Sequence, residues 1–363
     1  MSERTNSSIP FVGLHAHSVA GSLFDALGYP PDHMDFAWEN GCDALSLTDH
    51  GNANGLSHQV LHAKKMKEQG KTFKPIFGCE AYFIPSIAEW RDEYERALED
   101  KKRAKTLGSE LSGATVEDEN SSKKVQDVLR RRRHLILLAQ NQTGLQNIFK
   151  LISESYKSEN FYRYPRMDYD LLAKYGEGVI AASACLGGVY AGNFWENREE
   201  GDEAVLNAMR ETTRKMVSIF GDRWYGELQW NNVPEQHKLN QFIIKMHEEF
   251  GIGLISTADS HYPNPDAWKD RELYKRLGWL GKAVPSYEST ELPIDVDEIG
   301  YELYPKNGDQ MWESYKKYSA ECGVEYDDDL VLQSIKHTHE IAHQRIEDFL
   351  PDNTVRLPEF VVP

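Results

Sequence analysis

An α/β domain built on a seven-stranded sheet, closed or nearly closed into a barrel, is the fold class this sequence predicts. Three observations carry it. Short apolar runs of β character recur seven times in the first 257 residues, segments with apolar residues near a 3.6 spacing lie between them, and 363 residues suffice to bury a full core. The 40% hydrophobic and 27% charged content is ordinary for a folded protein, which excludes global disorder, and no collagen or heptad bias points to a fibre.

In chain order the strand-like runs are 11–15, 44–48, 74–83, 134–139, 178–183, 224–229 and 253–257. Helical spacing falls at 33–40, 58–68, 145–155, 203–220 and 234–250, and the alternation predicts a largely parallel sheet. Residues 86–133 interrupt it. They are strongly charged, with a Gly/Ser/acidic stretch at 107–122, and read as a helical insertion with a mobile loop. The arginine run at 130–133 is a solvated face or, alternatively, a phosphate contact. Beyond Pro263 the strands cease and the tail is helical, with an acidic cluster at 327–329 and a Pro-punctuated end, Leu357-Pro-Glu-Phe-Val-Val-Pro363. The expected division is a barrel at 1–263, carrying the insertion at about 86–133, and a helical C-terminal extension at 264–363.

Charge narrows the function classes. Lys and Arg number 41 against 58 Asp and Glu, a net −17, so the chain is a poor stand-alone binder of DNA backbone. Residues 1–150 carry 19 basic and 20 acidic side chains, so nearly the whole deficit falls on 151–363. A divalent-metal site is one way for an acidic protein to meet a phosphate. No run approaches a membrane span and the start is polar, so a cytoplasmic protein with no membrane partner is expected. Cys42, Cys79, Cys185 and Cys322 show no CxxC spacing, and reduced thiols follow.

Metal-competent groups recur at the strand ends. His15-Ala-His17 ends the first run, Asp49-His50-Gly51 the second, Gly78-Cys79-Glu80 lies in the third, Cys185 follows the fifth, and Asp259-Ser-His261 ends the seventh. A side-chain period of two puts both imidazoles of HxH on one face, and Asp259 and His261 likewise. Each piece has a plain alternative: core histidines, an N-cap at Asp49, an end-of-strand ion pair at Glu80, a small buried hydrophobe at Cys185. Glu80 inside an apolar run needs a partner for its charge. The convergence outweighs any single alternative.

Six segments, Leu14-His-Ala-His-Ser18, Leu47-Thr-Asp-His-Gly-Asn52, Gly78-Cys-Glu-Ala-Tyr82, His134-Leu-Ile-Leu-Leu-Ala-Gln-Asn141, Ala182-Ser-Ala-Cys-Leu186 and Thr257-Ala-Asp-Ser-His-Tyr262, resemble in order the motifs of the polymerase-and-histidinol-phosphatase (PHP) domain. The form most resembled is that at the N-terminus of bacterial DNA polymerase III alpha subunits. Gly144-Leu-Gln-Asn147, Phe161-Tyr-Arg-Tyr-Pro-Arg166, Gly226-Glu-Leu-Gln229 and the closing segment extend the resemblance along the chain. The chain ends where a palm domain would begin, so no DNA synthesis is expected from it alone; it would be an excised module, a split-gene product or a free-standing derivative.

The resemblance implies a distorted seven-stranded (β/α)7 PHP-type barrel and nine ligand positions: His15, His17, Asp25, His50, Glu80, His134, Cys185, Asp259 and His261. By the same resemblance His15, His17, Glu80 and Asp259 hold one ion, Glu80, His134 and Cys185 a second, and Asp25, His50 and His261 a third. The mixed shell suits zinc, manganese or iron rather than calcium. Such a cluster lowers the pKa of a bound water, and the expected activity is phosphoester hydrolysis, most specifically a proofreading type of 3′–5′ exonuclease acting on DNA 3′ ends. Partners would be the remaining polymerase domains or replisome subunits as separate chains. Arg166 is a candidate phosphate contact, Tyr162 and Tyr164 are candidate base-stacking groups, and Asp49 is a candidate for orienting a ligand. The alternatives are a small-molecule phosphatase of the histidinol-phosphate type and a non-catalytic metal-binding scaffold.

One rival motif stands apart. His339-Glu-Ile-Ala-His343 satisfies HExxH, but no acidic residue after it has a clear third-ligand spacing, so it reads as plain helix. His58 and His62, also four apart, read as solvent-facing.

Overall fold

The computed structural model describes residues 4–110, 116–279, 301–352 and 354. In chain order the elements are α1 (Pro30–Glu39), β1 (Ala44–Leu47), α2 (Leu56–Glu68), β2 (Lys74–Phe83), α3 (Ile87–Glu110), α4 (Val116–Arg130), β3 (Arg133–Ala139) and α5 (Gln142–Ser155). There follow β4 (Phe161–Tyr162), β5 (Tyr164–Met167), α6 (Tyr169–Tyr175), β6 (Val179–Ala182), α7 (Val189–Asn197), α8 (Asp202–Phe220), β7 (Trp224–Gln229), α9 (Pro234–Phe250) and β8 (Gly253–Thr257). Three helices end the described chain: α10 (Trp268–Trp279), α11 (Gly308–Glu321) and α12 (Asp328–Glu340), the last running into a π turn at Ile341–Arg345.

Six of the seven expected strands form ladders. The first forms single bridges instead: residues 11–17 lie between β1 and β8, with Ser46 N donating to Gly13 O at 2.8 Å and Thr48 N to Ala16 O at 2.7 Å on one side. On the other side His17 N donates to Ser260 O at 2.7 Å and Ser260 N to His15 O at 3.1 Å. This segment joins the two edges of the curled sheet.

The sheet is mixed, which corrects the expectation of a largely parallel one. β1–β2 and β6–β7–β8 are parallel, but β3 runs antiparallel to both β2 and β6. The reason lies between β2 and β3, where the chain makes no crossover. Instead α3 and α4 pack as a hairpin around Ile87, Trp90, Ala97, Val125, Val128 and Leu129, with Trp90 Nε1 donating to Val128 O at 2.8 Å. The charged insertion is thus helical beyond the bounds expected for its loop, α3 reaching Glu110 and α4 starting at Val116; residues 111–115 of that loop lie outside the described ones. Its arginines at 131 and 133 pair with Glu93 and Glu196. A short hairpin, β4 and β5, attaches to the end of β2 through Tyr82–Arg166 and Phe83–Met167 pairing.

Helix ends follow local chemistry. Asn141 caps α5 by accepting from Gly144 N, Pro234 opens α9, and Gly251 closes it at φ +66°. Strand alternation divides the core: Phe77, Cys79 and Ala81 of β2 pack under the outer helices, whereas Ile76, with Ile136, Leu138, Ile180, Tyr225 and Ile255, fills the interior. Ile341, Ala342 and Ile346 close that interior from below, and Met311, Tyr315, Val331 and Ile335 join the outer core. The boundary expected at 263/264 therefore separates segments that share both cores. The closing segment at 357–363 lies outside the described residues. All four cysteines are free thiols, and among the described residues no helix is long and apolar enough to cross a membrane.

Candidate metal centre

The inward face of each strand is apolar toward the base of the barrel and polar toward its mouth. β2 runs from Ile76 to Glu80, β7 from Tyr225 to Glu227 and Gln229, and β8 from Ile255 to Thr257, continuing to Asp259. β3 is reversed, so its beginning stands at the mouth, with His134 paired to Tyr82. An antiparallel strand thereby delivers a ligand candidate from its amino end.

Hydrogen bonds fix how the histidines face. His15 Nδ1 lies 2.7 Å from Glu227 Oε1, His17 Nδ1 3.3 Å from Ser22 Oγ, and His261 Nδ1 2.7 Å from the Asp259 carbonyl oxygen. The Ser22 hydroxyl donates to Asp49 Oδ1 at 2.9 Å, leaving its lone pairs for the ring N–H. Each ring therefore carries its proton on Nδ1 and turns the Nε2 lone pair into the cluster. There His15 Nε2 and His17 Nε2 meet 3.0 Å apart. Two Nε2 atoms that close share either a proton or a metal ion between them.

The acids complete the arrangement. Fully buried Glu80 has Oε1 3.0 Å from His134 Nδ1 and 3.5 Å from His15 Nε2, and Oε2 2.5 Å from His50 Nδ1 and 3.4 Å from His17 Nε2. Asp259 Oδ1 is 3.0 Å from His15 Nε2, 3.2 Å from His17 Nε2 and 3.4 Å from His261 Nδ1. Asp25 Oδ2 is 2.9 Å from His50 Nε2 and 3.4 Å from His261 Nε2. Cys185 Sγ is 3.6 Å from His134 Nδ1 and accepts from Gly187 N at 3.4 Å. Three triads, His15–His17–Glu80, His50–Glu80–His134 and His17–His50–His261, each have ligand atoms within 4.8 Å of one another.

Electrostatics fit a cation. Both Glu80 oxygens and Asp259 Oδ1 are buried without a well-aligned hydrogen bond, which costs several kcal/mol unless a positive charge compensates. Burial alone would raise the Glu80 carboxyl, but His134 and His50 hold it well below the usual range. Asp259 is depressed likewise, burial being outweighed by His15 and His261, and Asp25 by His261 and Arg271. Burial, then His50 and His261, lower His17 to about 3, which leaves it neutral. Burial opposes protonation of His15 and His50 too, but carboxylates and, for His50, Tyr82 raise both. Burial, then Asp259 and Glu80, push the Cys185 thiol up, so a thiolate there requires a cation. The protein by itself thus balances its acids with protonated imidazoles, a role divalent ions would take over. The backbone is strained beside the cluster, with Asp259 at φ +49° and Ala184 at φ +61°, costs of about 1–2 kcal/mol each.

All nine sequence-predicted positions meet at this mouth. Asp49 sits behind them, accepting from Ser18 N at 2.7 Å and Ser18 Oγ at 2.9 Å and reaching His17 through Ser22. Arg166 does not join them. It is fully buried, and its guanidinium donates to the carbonyl oxygens of Leu129, Arg131, Tyr162 and Tyr164, so the phosphate contact expected of it is replaced by a structural role. Tyr164 packs edge-on against Tyr82 at 5.2 Å, and Tyr82 stacks over His50 at 6.0 Å; Tyr162 turns to Tyr94 instead. Sequence reasoning missed Glu227, though an acid inside the apolar run Trp224–Gln229 carries the same signal as Glu80. It also missed Arg271 of α10, whose Nη2 and Nε donate at 2.7 Å to Asp25 Oδ1 and Asp25 O, pinning that carboxylate.

The chain is similar in sequence to DNA polymerase III alpha subunits of several bacteria. The DNA polymerase III subunit alpha of Aquifex aeolicus (strain VF5) is 37% identical over 356 residues, covering 97% of this chain and 26% of that protein. The subunit of the same name from Borreliella burgdorferi (strain ATCC 35210 / DSM 4680 / CIP 102532 / B31) is 30% identical over 305 residues, covering 84% and 22%. The chain spans about a quarter of the length of these curated relatives. Among solved structures, a two-domain protein from Bacteroides vulgatus ATCC 8482, described as containing a predicted PHP-like metal-dependent phosphoesterase, aligns at a TM-score of 0.35 and 14% identity over 74% of this chain and 60% of that one. A sequence model of the PHP domain matches residues 13–231, a stretch that runs from just before His15 through Cys185 and Glu227. On that match, spanning more than half of its length, the chain belongs to the PHP domain family.

Proposed function

We propose that this chain is a metal-dependent phosphoesterase whose substrates are DNA 3′ ends, removed 3′ to 5′ in the manner of a proofreading exonuclease. One observation carries the reading: the Nε2 atoms of His15 and His17, 3.0 Å apart, converge beside a fully buried carboxylate, Glu80, that lacks aligned donors. The ligand assignment is up to three ions, zinc, manganese or iron, divided as His15, His17, Glu80 and Asp259; Glu80, His134 and Cys185; and Asp25, His50 and His261. When bound, such ions activate water and neutralise charge on phosphoryl oxygens.

The chain's own residues do the rest. Glu227, Ser22 with Asp49, and the Asp259 carbonyl hold three imidazoles in their ligating tautomer. Arg132, its guanidinium 4.0 Å from the Tyr164 ring, joins Tyr164 and Tyr82 as a rim of positive charge and aromatic faces suited to a phosphodiester and its bases. The DNA substrate is supported by the polymerase-subunit relatives, as is association with the remaining polymerase domains or replisome subunits. Residues 1–263 would form the phosphoesterase unit and 264–363 the extension toward a polymerase palm. With a net charge of −17, weak and strongly salt-dependent DNA cleavage is expected of the chain alone.

The test uses metal-loaded protein at low salt with a 3′-labelled single-stranded oligonucleotide, beside p-nitrophenyl phosphate and histidinol phosphate. Wild type should shorten the oligonucleotide from its 3′ end while Asp259→Ala and His15→Ala do not. Cleavage of the monoesters alone would replace the DNA reading with small-molecule phosphatase activity. Metal uptake without hydrolysis of any substrate would leave a scaffold.

A further inference from the structure

A second cluster of metal-competent side chains lies at the other end of β1 from the main centre. Asp43 directly precedes that strand, whereas His50 follows it. His339 stands in the last turn of α12 and His343 in the π turn beyond, and a spacing of four brings their rings to 4.3 Å. His343 Nε2 is 3.0 Å from Asp43 Oδ1 and His339 Nε2 is 3.7 Å from Asp43 Oδ2. In a tetrahedral zinc shell with bonds of about 2.0–2.1 Å, ligand atoms stand about 3.3 Å apart, between these two separations. The third ligand that the HExxH segment lacks in nearby sequence comes from 300 residues upstream.

The surroundings agree. The side chains of His339, His343 and Asp43 are 35%, 31% and 40% exposed, which leaves space for water to complete a shell. The π turn is closed by Ile346 N donating to Ile341 O at 3.0 Å, and π turns are rare enough that they concentrate at functional sites. The neighbouring cation, Lys74, directs its ammonium to Ile346 O at 2.6 Å. Two imidazoles with one carboxylate suit zinc, copper or nickel rather than magnesium or calcium.

We propose that Asp43, His339 and His343 bind one transition-metal ion of the zinc class, clipping the C-terminal helix to the start of the first ladder strand. This site is independent of the reading given to the main centre. It is tested by equilibrium dialysis of the full chain against zinc with elemental analysis, comparing wild type with Asp43→Asn and with the His339→Gln/His343→Gln double variant. Each variant should retain one equivalent fewer than wild type and lose part of the zinc-dependent rise in melting temperature. Equal stoichiometry in folded wild type and Asp43→Asn overturns the proposal. Should the variants not fold, histidine-specific acylation of wild type with and without zinc, read residue by residue by mass spectrometry, decides: zinc must protect both His339 and His343, and unchanged labelling of the two overturns the proposal. Because the difference of one equivalent is read against a common background, loss of every ion from the main centre leaves the test valid.

Discussion

His15 Nδ1 and Glu227 Oε1 lie 2.7 Å apart, and neither side chain is exposed to solvent. Glu227 also accepts from Gln229 Nε2 at 3.0 Å and from Thr257 Oγ1 at 2.5 Å, so its carboxylate is fixed before the imidazole meets it. The charge on Glu227 raises the basicity of the opposite ring nitrogen. Glu227→Gln keeps the volume and removes that charge, so metal affinity at the mouth should fall about 10–100-fold while the fold persists. Metal titration followed by circular dichroism checks this; wild-type affinity in the variant would refute the orienting role.

Cys185→Ser separates the ions. The sulfur faces His134 at 3.6 Å, so the variant should lose one ion and keep the one assigned to His15, His17, Glu80 and Asp259. Elemental analysis per folded chain reads the result, and unchanged content removes Cys185 from the ligand set.

Arg166→Ala should act on stability rather than on substrate. It leaves four carbonyl oxygens short of a donor in the seam between α4 and the β4–β5 hairpin. A loss of about 3 kcal/mol or more is expected, read as a lowered urea midpoint, with KM unchanged in the folded fraction. A raised KM at unchanged stability would return Arg166 to the substrate.

Arg132→Ala should do the reverse. Removing the guanidinium from the Tyr164 face should raise KM for an oligonucleotide about tenfold, flatten its salt dependence, and leave hydrolysis of p-nitrophenyl phosphate unaltered. Steady-state kinetics at two salt concentrations separates these outcomes.

How far the sequence reached can be seen in particular residues. Six strands were legible as ladders because apolar runs of strand length stand out, but periodicity carries no direction, so the reversal of β3 was not. The β4–β5 hairpin escaped because Phe161–Tyr162 and Tyr164–Met167 are too short to express a period. His15, His17, His50, Glu80, Cys185, Asp259 and His261 were legible because metal-competent groups in or beside apolar runs contradict them, whereas Asp25 and His134 came only from the family resemblance. Arg271 was not, since an arginine on the charged helix Trp268–Trp279 looks like any surface residue until tertiary contacts bring it to Asp25. Arg166 misled for the opposite reason: a Tyr/Arg-rich segment suggests a polar surface, and nothing local says that its arginine turns inward.

A pH prediction concerns the C-terminal helices. Burial would raise the Glu302 carboxyl, but Lys306 at 2.8 Å, with Tyr318 at 2.7 Å and Ser314 at 3.0 Å, holds it at about 2. Its unfolded value is about 4.3, so the folded state binds the proton less readily and the pair's stabilisation is present above that value. It is lost as pH falls toward about 2. Glu302→Gln leaves Lys306 buried and unpaired at every pH, so it should unfold about 3 kcal/mol more easily at pH 7 and match wild type near pH 2. Urea midpoints across pH 2–7 read the convergence; a constant gap would refute it.

The reversed β3 has a bearing on how this barrel tolerates change. β2 ends and β3 begins on the same rim, the one where Glu80 and His134 meet, so the excursion of α3 and α4 departs from and re-enters the chain beside the candidate metal centre. A hairpin rooted that way can lengthen, shorten or exchange its tip without shifting strand register, because both of its feet are already pinned by the ladder. The fold therefore keeps its ligand candidates on the staves of the barrel and its room for variation on a separate piece of chain, an awning hinged to the lip.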